Sequence, residues 1–215
     1  INIPTNVKSI GDYTFCMCIS LISINIPDGV QSIGEGAFCG CSKLKIINIP
    51  DSVTSISNYA FFECKQLETV YIPVNITSIG ECAFKDCKKI QSINIPKNVI
   101  SIDGGAFALC EKLQSINLPK DVRSIGISAF FGCQSLKTIN IPDSVETIGE
   151  NAFYGCDNLN ITIGYEAYLR LKDDIPVNLI HTIIMPEDCE TIEKEAFKGC
   201  SNLKNINIPN SVTSI

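Results

Sequence analysis

From Leu44 onward the chain reads LKIINIPDSVTSISNYAFFECKQL, and its apolar positions keep more than one rhythm. Ile47 and Ile49 alternate with Asn48, a period of two that puts both isoleucines on one face of a strand and turns Ile46 and Asn48 to the other. Pro50 ends that strand, because it has no N–H to give to a ladder. Val53 and Ile56 then stand three apart, which predicts a tight arc carrying the chain back over the core. Ala60, Phe61 and Cys64 follow in a stretch that reads as a short helical or 3₁₀ turn, with the small Ala leaving room beside the bulky Phe.

The same phrase recurs. Pro4, Pro27, Pro50, Pro73, Pro96, Pro119 and Pro142 follow one another at steps of 23 residues, and Pro186 and Pro209 resume that step. The unit is I-P-x-x-V-x-S-I-G-x-x-A-F-x-G-C-x-x-L-x-x-I. One strand per unit at this period lies in the leucine-rich-repeat range. A single unit has too little apolar surface to order itself, so each coil must be the lid of the next. The predicted fold is a repeat solenoid of leucine-rich-repeat type, mainly β with short helical turns, with about ten parallel strands on one face. It forms one solenoid segment over residues 1–215, and both termini fall inside repeats. The chain therefore reads as a piece of a longer protein, or as one without caps. Equivalent positions stack into columns. Phe15, Phe38, Phe61, Phe84, Phe107, Phe130, Phe153 and Phe197 make a core spine. Ser9, Ser32, Ser55, Ser78, Ser101, Ser124, Thr147, Thr191 and Ser214 make a hydroxyl column, expected to satisfy backbone groups at the arc.

Charge and composition narrow the function. Net charge is −6, from 17 Lys+Arg against 23 Asp+Glu, and no basic cluster is present, so the footprint of a nucleic-acid binder is missing. No apolar run approaches the ~18 residues of a membrane span, and no secretory leader pattern is visible. Hydrophobic residues make up 45% of the chain, enough for a continuous core.

Twelve cysteines invite a redox or metal reading. Cys18, Cys41, Cys64, Cys87, Cys110, Cys133, Cys156 and Cys200 share the period of the fold, and packing as reduced thiols explains such a column better than chemistry does. Cys16 and Cys39 stand apart. With Cys18 and Cys41 they form C-x-C pairs on adjacent coils, which admits a Cys16–Cys39 disulfide or a four-thiolate zinc cluster as alternatives to free thiols. Column membership of two of the four argues against zinc. Cys82 and Cys189 look incidental. His181, the only histidine, takes a slot held elsewhere by Lys45, Glu68 and Lys137, and is expected in solvent. No serine has a His–acid partner. The reading is a non-enzyme with no cofactor and no metal.

One unit breaks the pattern at residues 164–180. Tyr165, Tyr168, Leu169 and Lys172 have helical spacing, and Glu166 and Arg170 could pair at i,i+4. A short helix is predicted over about residues 165–173, with DIPVN returning to the core. The unit is either a drifted repeat that still packs or a docking site; in the second case Tyr165, Tyr168 and Arg170 are its candidates.

The main candidate surface is the outward side of the strands: Ser23 and Asn25, Ile46 and Asn48, Thr69 and Tyr71, Ser92 and Asn94, Ser115 and Asn117, Thr138 and Asn140, Asn160 and Thr162. It is a face of hydroxyls and amides, nearly free of charge. Two readings remain open. The asparagines could bond to one another along the stack, making a structural spacer. Alternatively, the face meets a protein or glycan, with Ile46, Tyr71 and Ile184 supplying contact energy.

Written as I-P-x-x-V-x-S-I-G-x-x-A-F-x-G-C-x-x-L, the unit resembles the BspA-type leucine-rich-repeat proteins, also called the Treponema pallidum class. The resemblance covers all but about residues 164–180. It implies a right-handed solenoid at the cell surface or secreted, with adhesion to host matrix proteins such as fibronectin or fibrinogen, or to other cells. The family brings no catalytic residues.

Overall fold

The computed structural model describes residues 1–215. Nine short strands carry the I-x-I alternation: Ser23–Asn25, Ile46–Asn48, Thr69–Val70, Ser92–Asn94, Ser115–Asn117, Thr138–Ile141, Asn160–Gly164, Ile180–Ile184 and Asn205–Ile206. All their pairings are parallel, and a bridge from Asn2 to Asn25 adds a tenth rung. Like faces like across the ladder: Ile24 lies opposite Ile47 and Asn25 opposite Asn48, and Ile116 lies opposite Ile93. The isoleucines turn inward to one cluster of 60 buried residues, and no polar or charged side chain is buried. The expected solenoid is the observed one.

The S-I step is more than an arc. Seven two-residue strands, Ser9–Ile10, Ser32–Ile33, Ser55–Ile56, Ser78–Ile79, Ser101–Ile102, Ser124–Ile125 and Thr147–Ile148, form a second parallel ladder. Ile points in and Ser points out, so the hydroxyl column does not serve the backbone as expected. Ser52, Ser144 and Ser211 do so instead: each donates its hydroxyl at 2.6 Å to a carbonyl of the preceding coil, that of Val30, Val122 and Cys189 respectively. Strands of two residues are too short for a period of two to be visible in sequence.

The A-F stretch is not helical either. Ala60 N–H donates to Ser57 O, Phe62 to Tyr59 and Cys64 to Phe61, while the amides between them, Tyr59, Phe61 and Glu63, donate at 2.8–2.9 Å to Glu81, Ala83 and Lys85 of the next coil. A helix would spend all of these donors on itself. Two left-handed residues per coil turn alternate amides outward: Tyr59 and Glu63 at φ 57°, with Gly36 and Gly40 in the same places one coil earlier. Such a conformation costs a non-glycine residue of order 1–3 kcal/mol. The inter-coil bonds it permits, each worth about 1 kcal/mol net, offset that cost. The arc is therefore a third ladder. It matters most around the coil of Thr69–Val70, where both sheets are interrupted: that strand does not pair with Ser92–Asn94, nor Ser55–Ile56 with Ser78–Ile79.

The Phe and Cys columns form as predicted as far as Phe153 and Cys156; beyond the irregular unit Phe197 and Cys200 meet Tyr168 instead. Consecutive rings from Phe15 to Phe153 stack nearly parallel, with centroids 5.2–5.7 Å apart. The thiols form a hydrogen-bonded row beside them. Each of Cys41, Cys64, Cys87, Cys110, Cys133 and Cys156 points its Sγ at the carbonyl of the Phe one coil back, at 3.1–3.2 Å. That carbonyl also accepts the N–H of the Cys three residues ahead in its own coil. A side chain small enough for the core, and still able to donate to a buried carbonyl, is what the position requires.

The buried column thiols should resist alkylation in the native protein and react fully once it is denatured. Burial pushes the Cys110 thiol from its ordinary 9.0 up to about 12, and those of Cys64 and Cys87 also rise, chiefly through burial. At Cys110 the unfolded chain ionises first, so that thiol's contribution to stability is complete below pH 9.0 and falls as pH rises from there towards about 12. Denaturant unfolding across that interval should show the decline, with a shallower slope in Cys110→Ala. Phe107→Ala, which empties one place in the spine, should cost about 3–5 kcal/mol.

Candidate interaction face

The outward strand residues stand where the alternation puts them. Ser23, Asn25, Asn48, Thr69, Ser92, Asn94, Ser115, Asn117, Thr138 and Asn140 are exposed, and Asn160 and Thr162 are half-buried near the irregular unit. Register aligns them into two columns, with Ser92 beside Ser115 and Asn94 beside Asn117. The amide ladder offered by the sequence does not form. Asn25, Asn48, Asn94, Asn117 and Asn140 share no side-chain hydrogen bonds, and the bonds between outward side chains of neighbouring strands fall near the C-terminal end. There Asn205 Nδ2 donates to Thr182 Oγ1 at 3.3 Å and Asn202 Nδ2 to Asn160 Oδ1 at 3.3 Å. Rungs ~4.8 Å apart put neighbouring amides beyond hydrogen-bond reach unless each lies along the stack. His181, expected in solvent, is half-buried beside the same group, with Nδ1 3.1 Å from Thr182 Oγ1.

Two apolar side chains interrupt the polar field together. Ile46 is 58% exposed and Tyr71 46% exposed, on neighbouring strands whose register pairs Ile46 with Thr69. Tyr71 is held upright: its hydroxyl donates to Asp51 Oδ1 at 2.8 Å. That bond, with smaller effects of burial and the Asp51 charge, raises the phenol above its ordinary 10.0, so it remains a donor at neutral pH. Ile184, 57% exposed, repeats the apolar break at the far end.

The second group of candidates is placed otherwise. The helix forms at Tyr165–Leu171, as its spacing predicts, but Tyr165 and Tyr168 are only 2% and 1% exposed. Tyr168 lies in the spine, stacked 6.1 Å from Phe197, with its hydroxyl donating to Ala196 O. Arg170 does not pair with Glu166. Its guanidinium donates to Val145 O at 2.9 and 3.2 Å and to Asp143 O at 2.7 Å. Where the next coil carries a serine in the slot before its valine, as at Ser52 and Ser144, that serine serves the corresponding valine carbonyl. The irregular unit lacks the serine, and Arg170 supplies the donor in its place. Tyr165 and Tyr168 fill the repeat from inside, and Arg170 ties it to the preceding coil from the exposed side.

Nor do the C-x-C pairs gather into a cluster. Cys41 Sγ is committed to Phe15 O in the core, and no group of three or more His, Cys, Asp or Glu side chains is placed to hold a metal. No helix is long and apolar enough to cross a membrane.

A run of parallel rungs, 23 residues apart and closed by a stacked Phe column, is a leucine-rich-repeat solenoid. The chain belongs to the BspA type leucine rich repeat family, whose repeat matches in six copies over residues 1–114 and 176–215. Among solved structures it is similar to a leucine-rich repeat protein from Eubacterium ventriosum, at 21% identity and a TM-score of 0.53, covering 97% of this chain and 72% of that one. It is also similar to a leucine rich cell surface protein from Faecalibacterium prausnitzii, at 26% identity and a TM-score of 0.48, covering 94% of this chain and 70% of that one. A leucine-rich repeat protein from Bacteroides ovatus aligns at 25% identity and a TM-score of 0.41, over 100% of this chain and 82% of its own. No curated protein matches at a significant level.

Arg170→Ala should destabilise the protein by about 1–3 kcal/mol, because it leaves carbonyls without the donor that covers them. Thermal melting measures the loss. Arg170→Lys, with a cation but no fork, should recover only part of it.

Proposed function

We propose that this chain is a non-enzymatic binding or adhesion module whose polar strand face meets a host matrix or cell-surface protein, or a glycan, with its centre at Tyr71. The observation that carries the reading is the set of outward amides that bond to no neighbour. Had they bonded along the stack, the face would have been satisfied by itself, and a spacer would need nothing more. Left open, they offer a donor and an acceptor at each rung. Tyr71 adds a rigid ring with a fixed hydroxyl, the kind of side chain that concentrates binding energy at interfaces. Ile46 lies on the diagonal beside it, and ordered polar rungs surround both, as a rim surrounds an anchor.

Membership of a leucine-rich-repeat family supports binding as the role, because such repeats present extended surfaces. A location at the cell surface or outside the cell rests on that membership alone. The net charge of −6 argues against nucleic acid as the partner.

Arrays of matrix proteins and of glycans, probed with the purified chain, test the proposal. Tyr71→Ala should weaken whichever contact is found by ~1–3 kcal/mol, while Asn117→Ala, in the same column without an aromatic neighbour, costs less. Folding should survive both, since neither side chain fills core volume. No binding on either array would return the face to a spacer. Equal affinity for the parent chain and Tyr71→Ala would move the site off this centre.

A further inference from the structure

The outer side of the arcs carries a recess that the repeat does not require. Two outward slots flank each Ala-Phe pair. The slot two residues before the Ala holds Asn58, Glu81, Ile127 and Glu150 in successive coils, but Gly104 in the coil of Phe107. The slot after the Phe holds Phe62, Lys85, Phe131 and Tyr154, but Ala108 in that same coil. With Gly105 between them, the coil drops a whole side-chain layer below its neighbours. The result is a groove of about 630 Å³, within the range of ligand sites. Its walls stand one coil step to either side, 5.6 and 5.7 Å as measured along the Phe spine.

The two walls differ. On one side Ile127 is 63% exposed, and Phe131 stacks on the exposed Tyr154 at 5.4 Å, so the apolar surface runs on beyond the groove. On the other stand Glu81 and Lys85. Lys85 is in no ion pair, whereas its neighbours Lys65 and Lys88 bridge to Glu63, Asp86 and Glu111. Its ammonium rests 6.0 Å from the Phe62 ring. Most backbone groups of the floor are taken: Gly104 O accepts from Cys82 N–H, Gly105 N–H donates to Ile127 O and Ala108 O accepts from Asp86 N–H, which leaves Gly104 N–H as the one free donor. Such a floor suits an apolar guest. A sugar, with a hydroxyl on nearly every carbon, would find only Glu81, Lys85, Ser128 and that one N–H for them.

We propose that this groove is a second binding site, which takes a large apolar side chain of a partner polypeptide that carries an acidic residue next to it. The apolar side chain fills the notch over Gly104 and Ala108 against Phe131. The adjacent carboxylate meets the unpaired Lys85, and Glu81 accepts a backbone N–H of the same segment. The site is on the arcs and shares no residue with the strand face, so it does not depend on that face binding anything.

A displayed library of random peptides, selected on the purified chain, tests it. Enriched sequences should place Leu, Met, Phe or Trp beside Asp or Glu. A synthetic peptide of the enriched sequence, titrated by calorimetry, should bind Ala108→Phe at least about tenfold more weakly, a hot-spot loss. That substitution fills the notch with the residue which Phe62 and Phe131 already place in the same slot, so the fold should hold, as a melting curve would show. Should it not, Gly104→Gln fills the same space from a slot that accepts Asn58 and Glu81. Lys85→Glu should turn the selected preference from acidic to basic neighbours, and Asn117→Ala, on the strand face, should leave the affinity for this peptide unchanged. No sequence preference, or affinity indifferent to the filled notch, would overturn the proposal. So would a glycan whose binding is lost in Ala108→Phe when no peptide binds.

Discussion

The carbonyl of the spine phenylalanine is where the coils are joined. It accepts the amide of the Cys three residues on and the thiol of the Cys one coil ahead, while the Phe N–H reaches to the next coil's Ala. Both lone pairs of a buried oxygen are thereby used, and a ring stacked at 5.2–5.7 Å is locked beside them. Residue choice in the arc follows from this junction. Ala is needed where the next coil presses close, and Cys where a small side chain must also donate. Left-handed residues are needed where alternate amides must leave the coil. The cysteines that suggest redox chemistry are thus answering a backbone requirement.

The irregular unit shows how far the rule can bend. A helix at Tyr165–Leu171 spends its amides internally and gives the preceding coil no serine and the spine no phenylalanine. Tyr168 enters the spine from the helix, and Arg170 reaches back to the open carbonyls of Asp143 and Val145. The strand ladder passes through, from Thr138–Ile141 to Asn160–Gly164 to Ile180–Ile184. A repeat can lose its signature and keep its place when the strand ladder runs on and a side chain such as Arg170 covers carbonyls left open.

With the interior so uniform, variation is left to the two outer surfaces. The strand face varies by addition: Ile46 and Tyr71 rise from a field of hydroxyls and amides. The arc face varies by subtraction, where Gly104, Gly105 and Ala108 sink one coil below its neighbours. Neither change touches the core columns, so each can be made at little cost to folding. A solenoid separates the positions that hold it together from those free to recognise a partner.

The sequence by itself determined the coil. Prolines at steps of 23 residues, the I-x-I alternation and the Phe and Cys columns led to a parallel solenoid, its inward residues and its outward face. The helix of the odd unit was also legible, from the spacing of Tyr165, Tyr168 and Leu169. These are properties of period, and period survives in one dimension. Only the tertiary structure decided where hydrogen bonds go between coils. The second ladder, the left-handed arc, the Ser52 and Arg170 bonds and the missing amide ladder all join residues 22 to 27 apart. In such pairs the partner is chosen by stacking and rotamer, on which residue type is silent. For the same reason the arc groove could not be read along the chain. Gly104, Gly105 and Ala108 look like ordinary small residues until the taller side chains of the coils before and after are set beside them.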